Sequence, residues 1–253
     1  MKKPISLTLL AIFLVTGCSS ASVSPLSKEE QARVYYESGA SSLNEGDPTG
    51  ALILLKKAAE LEPKMAEIHY MLTLTYFQKG ETALAIQSAK KALQVNPDLT
   101  AAKNALGKLL LDQGKFDEAE KYLKESANDL TYREAYLAKT NLGLLYSKKQ
   151  KPTEAEYWYS KAIFDAGNAS CVASFQRGMI YFNRNDLEKA KPDFYRASKN
   201  LCGNNSEAHL AYGKTLVGLK KFDQARSKML EIQQLFPQSA AADKANEILK
   251  DIP

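Results

Sequence analysis

The residues that could act as catalysts or metal ligands are few, and none lies in a recognisable catalytic arrangement. The two histidines, His69 and His209, occupy the same position of a repeated pattern described below, so they are expected to pack helices. No His-Glu-x-x-His, Cys-x-x-Cys or Gly-x-Ser-x-Gly motif occurs. Gly213, Lys214 and Thr215 imitate the end of a phosphate-binding loop, but Ala208 stands where that motif needs its first glycine. The sequence therefore predicts no enzymatic activity, no metal, no other cofactor and no small-molecule substrate.

The composition is that of an ordinary globular protein. Of 253 residues, 45% are hydrophobic and 25% are charged, which is enough apolar material to bury a substantial core. The formal net charge is +5, but lysines and glutamates are interspersed, with no basic run or basic-aromatic patch. Nucleic acid is therefore not an expected partner.

The first of the three cysteines follows a secretion signal. Lys2 and Lys3 precede an apolar stretch at residues 5–15, which is too short for a settled transmembrane helix. The stretch runs into Gly17 and Cys18, a junction that resembles the bacterial lipobox. We expect a signal peptide at 1–17, lipidation of Cys18 and a flexible tether over 18–30; an ordinary cleaved signal with an incidental cysteine is the alternative. Because Ser19, and not Asp, follows Cys18, the expected location is the periplasmic face of the outer membrane.

Pairs of small residues recur along the rest of the chain. Gly143 and Ala155 lie twelve residues apart and flank a polar turn, which is typical of two helices that fold back on each other at close range. The same spacing occurs in five further pairs: Gly39/Ala51, Thr73/Ala85, Gly107/Ala119, Gly178/Ala190 and Gly213/Ala225. Successive alanines are separated by 34, 34, 36, 35 and 35 residues. A fixed period near 34 is typical of a helical hairpin repeat.

The repeat predicts one domain over residues 31–253. Gly46, Gly80, Gly114 and Asn185 occupy equivalent positions where a helix end requires a positive φ. The predicted repeats are 32–65, 66–99, 100–135, 136–170, 171–205 and 206–238. Residues 239–250 form an amphipathic helix that is expected to cap the solenoid.

The pattern resembles the tetratricopeptide repeat (TPR) family. Its tyrosine position is filled by Tyr76, Tyr146 and Tyr181, and its second alanine position by Ala58, Ala92, Ala162 and Ala197. Thr73 replaces a glycine, Ser126 replaces an alanine, and repeats three to five lack a closing proline. The resemblance implies an all-α fold, a right-handed α-solenoid of six TPR hairpins followed by the capping helix.

The other two cysteines, Cys171 and Cys202, fall at the first and thirty-second positions of repeat five. In an antiparallel hairpin, the start of the first helix and the residue after the second helix come together. Because secretion exposes the chain to an oxidising compartment, we predict a disulfide between them. Two separate buried thiols are the alternative.

The first helices of a solenoid of this kind line its concave side, and here many of their inward positions carry large apolar residues. Aromatic anchors along a groove suit an amphipathic segment of a partner protein. The alternative for any one of them is packing against the neighbouring first helix. The predicted partner-binding residues are Tyr36, Leu43, Tyr70, Leu74, Phe77, Asn104, Lys108, Leu111, Phe175, Met179 and Phe182.

Beyond the repeat, the chain resembles the pilotins of the type IV pilus, which are outer-membrane lipoproteins. The resemblance is carried by Ala32-Arg33 with Gly39, by residues 141–144 and 149–155, and by the ending at 232–237. It implies a lipid-anchored monomer that binds the pilus secretin in its groove and helps the secretin localise and form multimers. An accessory of β-barrel assembly and an adaptor for peptidoglycan enzymes are the alternatives.

Overall fold

The computed structural model describes residues 26–253, so Cys18, the predicted signal peptide and most of the predicted tether lie outside the described residues. The described part contains thirteen α-helices and no strand. They are α1 (Lys28–Asn44), α2 (Pro48–Leu61), α3 (Ala66–Gln78), α4 (Thr82–Val95), α5 (Thr100–Asp112), α6 (Phe116–Asn128), α7 (Ala135–Lys148), α8 (Pro152–Ala166), α9 (Cys171–Asn183), α10 (Leu187–Ala197), α11 (Ser206–Gly218), α12 (Phe222–Leu235) and α13 (Ala240–Asp251). None of these helices is long and apolar enough to cross a membrane.

Helices α1 to α12 form six successive hairpins, and the all-helical solenoid fold is confirmed. Each odd-numbered helix packs most closely on the even-numbered helix that follows it. From α1 to α9, the first helices of neighbouring hairpins also touch one another, and residues of α9 and α11 line a common cleft. The first helices α1, α3, α5, α7, α9 and α11 therefore form the inner, concave side. The last helix, α13, packs on α12 and α11 and covers the end of the stack.

The turn inside each hairpin contains one residue with a positive φ. The predicted positions Gly46, Gly80, Gly114 and Asn185 have φ values of 83°, 77°, 75° and 60°. The remaining two hairpins carry Gln150 and Lys220 at this point, with φ values of 55° and 56°. The turn geometry is therefore common to all six hairpins, even where the residue is not glycine.

The recurring glycines of the first helices make room for one large side chain of the second helix. A Cβ built on Gly143 would lie 2.4 Å from the Tyr159 ring, and one on Gly178 would lie 2.8 Å from the Phe194 ring. The equivalent pairs, each sixteen residues apart, are Gly39 with Leu55, Gly107 with Leu123 and Gly213 with Met229. In repeat two the glycine is replaced by the buried Thr73, and the residue sixteen positions on is the buried Ala89. In repeat two, the larger side chain of this pair is therefore on the first helix and the smaller one is on the second helix.

The first helix begins within the predicted tether. Ser27 caps α1: its hydroxyl accepts from the Glu30 amide at 3.2 Å, and the Glu30 carboxylate accepts from the Ser27 amide at 2.7 Å. This capping box satisfies amides that the helix itself leaves free. Residues 28–30 are therefore helical, because the Ser-x-x-Glu sequence provides a helix start that the sequence interpretation did not use.

Cys171 and Cys202 are joined by a disulfide, with their Cα atoms 5.4 Å apart. Cys171 begins α9, and Cys202 ends a short 3-10 turn, Asn200–Cys202, that follows α10. The bond therefore closes the fifth hairpin. A crosslink across 31 residues restricts the unfolded chain and stabilises the fold by about 3–4 kcal/mol.

A buried ion pair connects the two helices of the same hairpin. The Arg177 guanidinium on α9 donates through Nε and Nη2 to the two carboxylate oxygens of Asp193 on α10, both at 2.7 Å. Its Nη1 donates to the Ser160 hydroxyl on α8 at 2.8 Å. Asp193 is only 1% exposed. One guanidinium therefore joins repeats four and five.

Candidate functional site

A cleft of about 210 Å³ opens on the concave side of repeats two to four, and we call it the first cleft. It is built by the helices α3, α5 and α7 together with the loop between α6 and α7. Large apolar side chains form its walls, with a few polar groups among them. The lining residues are Tyr70, Thr73, Leu74, Phe77, Ala101, Asn104, Ala105, Lys108, Leu109, Tyr132, Glu134, Leu137 and Asn141.

The polar groups of the first cleft are connected to one another. Asn141 Nδ2 donates to Asn104 Oδ1 at 3.0 Å. Asn104 Nδ2 donates to the Tyr132 hydroxyl, which in turn donates to the Glu134 carboxylate, both at 3.5 Å. Burial, followed by the nearby Glu134 carboxylate, raises the pKa of Tyr70, and burial also raises the pKa of Tyr132. Both phenols are therefore neutral at physiological pH, and the cleft presents hydroxyl, amide and aromatic surfaces.

The loop that carries Tyr132 into the cleft is held by Asp129. The Asp129 carboxylate accepts from the Thr131 amide at 2.9 Å, from the Thr131 hydroxyl at 2.6 Å and from the Thr100 hydroxyl at the start of α5. The hydrogen bond from Thr100, followed by those from Thr131, lowers the pKa of Asp129 to about 2. A charged Asp129 thus ties the end of repeat three back to its beginning.

We expect acid to loosen this loop. The pKa of Asp129 is about 2 in the folded protein, against an ordinary value of 3.8. Its contribution is therefore fully present above the ordinary value and is lost as the pH falls toward 2. Hydrogen exchange of residues 129–134, corrected for its intrinsic pH dependence, should accelerate between about pH 5 and about pH 2.5. Asp129→Asn should exchange fast at both values; a loop equally protected at both pH values in the unsubstituted protein would contradict this prediction.

The structure brings eight of the eleven predicted partner-binding residues to two clefts. Five line the first cleft: Tyr70, Leu74, Phe77, Asn104 and Lys108. The other three, Phe175, Met179 and Phe182, line a second cleft of about 150 Å³ with Glu207, Leu210, Ala211 and Lys214. In the second cleft, the rings of Phe175 and Phe182 also pack on the buried Phe194, at centroid distances of 5.9 and 6.1 Å, so they serve the core as well.

The remaining three residues lie elsewhere. Leu111 is 1% exposed and belongs to the core shared by repeats two to five, so it is not available to a partner. Leu43 is 8% exposed and belongs to the core of repeats one and two, where half-buried Tyr36 packs against the same cluster. Leu43 and Leu111 occupy the same repeat position as Phe77, which is 50% exposed. The repeat position alone therefore does not determine exposure, because neighbouring hairpins cover some first-helix ends and leave others open.

Sequence reasoning missed Tyr132 and Glu134, which come from the connection between repeats three and four. The signal was available, because the spacing from Ala119 to Ala155 is 36 residues, against 34 for the two preceding intervals. The additional length is at this connection, and the structure folds it over the first cleft.

The histidines have packing roles in the structure. His69 Nε2 lies 2.8 Å from the carbonyl oxygen of Pro63, and His209 Nε2 lies 3.0 Å from that of Gly203. Both therefore contact a carbonyl six residues earlier, at the connection that precedes their helix. Within residues 26–253, no three His, Cys, Asp or Glu side chains form a group that could hold a metal ion.

Comparison with known proteins identifies the repeats and a relative that matches along most of the chain. Three tetratricopeptide repeat models match residues 30–100, 76–142 and 173–199, which together cover more than half of the chain. The type IV pilus assembly protein PilF of Pseudomonas aeruginosa is 28% identical over 236 residues, covering 91% of this chain and 92% of PilF.

Two solved structures share the fold. The structure of Pseudomonas aeruginosa PilF has a TM-score of 0.75 and 22% identity, and covers 87% of this chain and 99% of its own. The structure of PilW, described as a widely conserved type IV pilus biogenesis factor, has a TM-score of 0.73 and 18% identity, and covers 84% and 97%. The chain therefore belongs to the tetratricopeptide repeat proteins and is related to the PilF and PilW proteins of type IV pilus biogenesis.

Proposed function

We propose that this protein is an outer-membrane lipoprotein, anchored at the periplasmic face through an acylated Cys18, that binds a secretin subunit of the type IV pilus on its concave side. Bound there, the subunit is kept from premature aggregation and is concentrated at the membrane where its multimer forms. The observation that carries the proposal is the match to the pilus assembly protein PilF along 91% of the chain. Cys18 lies outside the described residues, and the lipobox-like Gly17-Cys18 junction is the support for the anchor.

The first cleft supports binding of a short protein segment. A volume of about 210 Å³ is below the range of about 300–1,000 Å³ that is usual for small-molecule sites, but it can take one or two side chains of a peptide. Tyr70, Leu74 and Phe77 provide apolar contact on one wall. Asn104 and Asn141 provide amide groups that can bond to the main chain of a bound segment.

Removing the aromatic wall should weaken partner binding strongly. We expect Tyr70→Ala and Phe77→Ala each to raise the Kd for the purified secretin subunit about 10- to 30-fold, because buried aromatic anchors contribute about 2 kcal/mol at interfaces. Isothermal titration calorimetry measures this directly. Since Phe77 is half exposed, its truncation should leave the fold intact, which circular dichroism checks.

A matched control lies in the second cleft. Met179→Ala removes an apolar side chain that is also on the concave side but away from the first cleft. If Met179→Ala weakens binding while Phe77→Ala does not, the partner uses the second cleft, and the assignment of the first cleft is wrong.

Cells provide the test of the proposed function itself. A strain that lacks this protein should lose secretin multimers and pili, and Cys18→Ala should mislocalise the secretin. Normal secretin multimers in the deletion strain would refute the proposal. Depletion of many outer-membrane barrels would instead indicate a role in β-barrel assembly, and altered wall chemistry would indicate an adaptor for peptidoglycan enzymes.

A further inference from the structure

Three large apolar side chains are far more exposed than the other large apolar residues of the described chain. Leu130 is 100% exposed, Phe164 is 87% exposed and Leu201 is 81% exposed. The other exposed large apolar residues of the described chain are at most 55% exposed. Side chains of this size are rarely left fully in water without a reason, and a contiguous set of them indicates an interaction surface.

The three residues lie near the ends of three consecutive hairpins. Leu130 is in the connection between α6 and α7, Phe164 is in the last turn of α8, and Leu201 is in the 3-10 turn between α10 and α11. All three are therefore at the edge where one hairpin is joined to the next, which we call the connecting edge. The connections after repeats four and five, Gly167–Ala169 and Asn200–Cys202, contact each other directly. The apolar tips of repeats three, four and five thus follow one another along one edge.

The opposite edge has a different character. It is formed by the turns inside the hairpins, residues 45–47, 79–81, 113–115, 149–151, 184–186 and 219–221. Within these turns no large apolar side chain is exposed, and charged or amide side chains predominate. Phe77 and Leu84, which flank the second of these turns, are 50% and 40% exposed. Among the described residues, no large apolar side chain at this edge is as exposed as Leu130, Phe164 or Leu201.

The connecting edge is also the edge from which the chain leads to Cys18. Every first helix begins at this edge, because it follows a connection from the preceding hairpin, and α1 begins there in the same orientation. Leu26, just before the Ser27 cap, is itself 51% exposed. The eight residues 18–25 can span at most about 28 Å when extended. An acylated Cys18 would therefore hold the start of α1, which lies at the connecting edge, within this distance of the bilayer.

We propose that the connecting edge of repeats three to five lies against the membrane, with Leu130, Phe164 and Leu201 inserted at the boundary between lipid headgroups and acyl chains. This orientation rests on the proposed anchoring through Cys18. Interfacial insertion of a few apolar side chains is weak by itself but effective next to a lipid anchor, because the anchor already holds the edge at the surface. It would orient the solenoid so that the polar turns point away from the bilayer.

The experiment uses the lipidated protein, purified from the outer membrane and reconstituted into vesicles of phosphatidylethanolamine and phosphatidylglycerol. Phe164→Trp in a Trp158→Phe background places one tryptophan on the connecting edge. Gln113→Trp in the same background places one on the polar edge and is the matched control. Replacing part of the lipid by its dibrominated form should reduce emission about twofold or more for Phe164→Trp and leave Gln113→Trp unchanged. Because the insertion is apolar, raising the salt concentration should not abolish the quenching.

Two outcomes of the quenching experiment would overturn the proposal, and they are distinguishable. If the protein sediments with the vesicles but Phe164→Trp is not quenched, the anchor holds and the orientation is wrong. If the lipidated protein does not sediment with the vesicles, the anchoring itself fails, and the orientation falls with it.

A protein partner is the other occupant to exclude. The variant with Leu130→Ser, Phe164→Ser and Leu201→Ser should keep its fold, since these side chains are solvent-exposed, and should keep its Kd for the secretin subunit. If the triple variant instead loses secretin binding tenfold or more, the tips contact the protein partner and the membrane proposal is wrong.

Discussion

Asp193→Ala should lower the free energy of unfolding by about 3–5 kcal/mol, because it leaves the largely buried guanidinium of Arg177 without its counter-ion. Asp193 is 1% exposed and accepts two hydrogen bonds of 2.7 Å from Arg177, and a further one of 3.2 Å from Arg196. Urea denaturation followed by circular dichroism gives the loss. Hydrogen exchange should show that the loss concentrates in repeats four and five, since each repeat of a solenoid contacts only its neighbours.

Two further variants separate the cause from a general sensitivity to charge removal. Glu154→Ala breaks an ion pair with Lys151 in which both side chains are about half exposed, and it should change stability by less than about 0.5 kcal/mol. Arg177→Met combined with Asp193→Leu removes both charges and should recover most of the stability lost by Asp193→Ala. A double variant as unstable as the single one would mean that the ion pair is not the source of the effect.

Tyr159→Ala should be comparably destabilising, by about 3–5 kcal/mol, because it empties the space between the two helices of repeat four. Tyr159 is fully buried, and its ring lies over Gly143. Its hydroxyl is 3.2 Å from the Ser147 hydroxyl, so the substitution also removes a hydrogen bond. The measurement is again the free energy of unfolding in urea. Tyr157→Ala is the matched control, since Tyr157 is on the same helix and about half exposed.

The contact with Gly143 can be tested by exchanging volume. Gly143→Ala alone should cost about 1–3 kcal/mol, because the new Cβ would overlap the Tyr159 ring. Combined with Tyr159→Ala, which copies the alanine found sixteen positions after Thr73 in repeat two, the same substitution should cost less. Equal losses of stability in both backgrounds would show that steric overlap with the Tyr159 ring is not the reason for glycine at position 143.

Much of the fold can be predicted from the sequence, because small residues recur where two helices come close and few other residue types fit there. The period of the alanines, the pairs of small residues twelve positions apart and the positive-φ turns each predict the same hairpin. The candidate site was less predictable. Leu43, Phe77 and Leu111 stand at equivalent repeat positions, yet Leu43 and Leu111 are buried and Phe77 is half exposed. The exposure of these three side chains depends on how neighbouring hairpins stack, and the sequence of a single repeat does not determine that stacking.

The connection that completes the first cleft shows the same limit. Tyr132 is outside the repeat pattern, and its place in the cleft depends on the Asp129 hydrogen bonds to residues of two different segments, Thr100 and Thr131. Hydrogen bonds between positions so far apart in the sequence leave no periodic pattern from which they could be predicted. The helix start at Ser27, by contrast, is a local signal that the sequence does contain.

The pairing of Thr73 with the small residue Ala89 has a consequence for how a repeat protein of this kind can evolve. In five hairpins a glycine faces a large residue, and in one a threonine stands in its place and an alanine stands sixteen positions on. A single helix transplanted from repeat two into another repeat would therefore bring either two bulky side chains or two small ones to the same point. Duplication or recombination can move whole hairpins without this penalty. For repeat two, the unit that can be exchanged without this penalty is consequently the helix pair, so chimeras that receive the whole hairpin should be more stable than chimeras that receive only α3 or only α4.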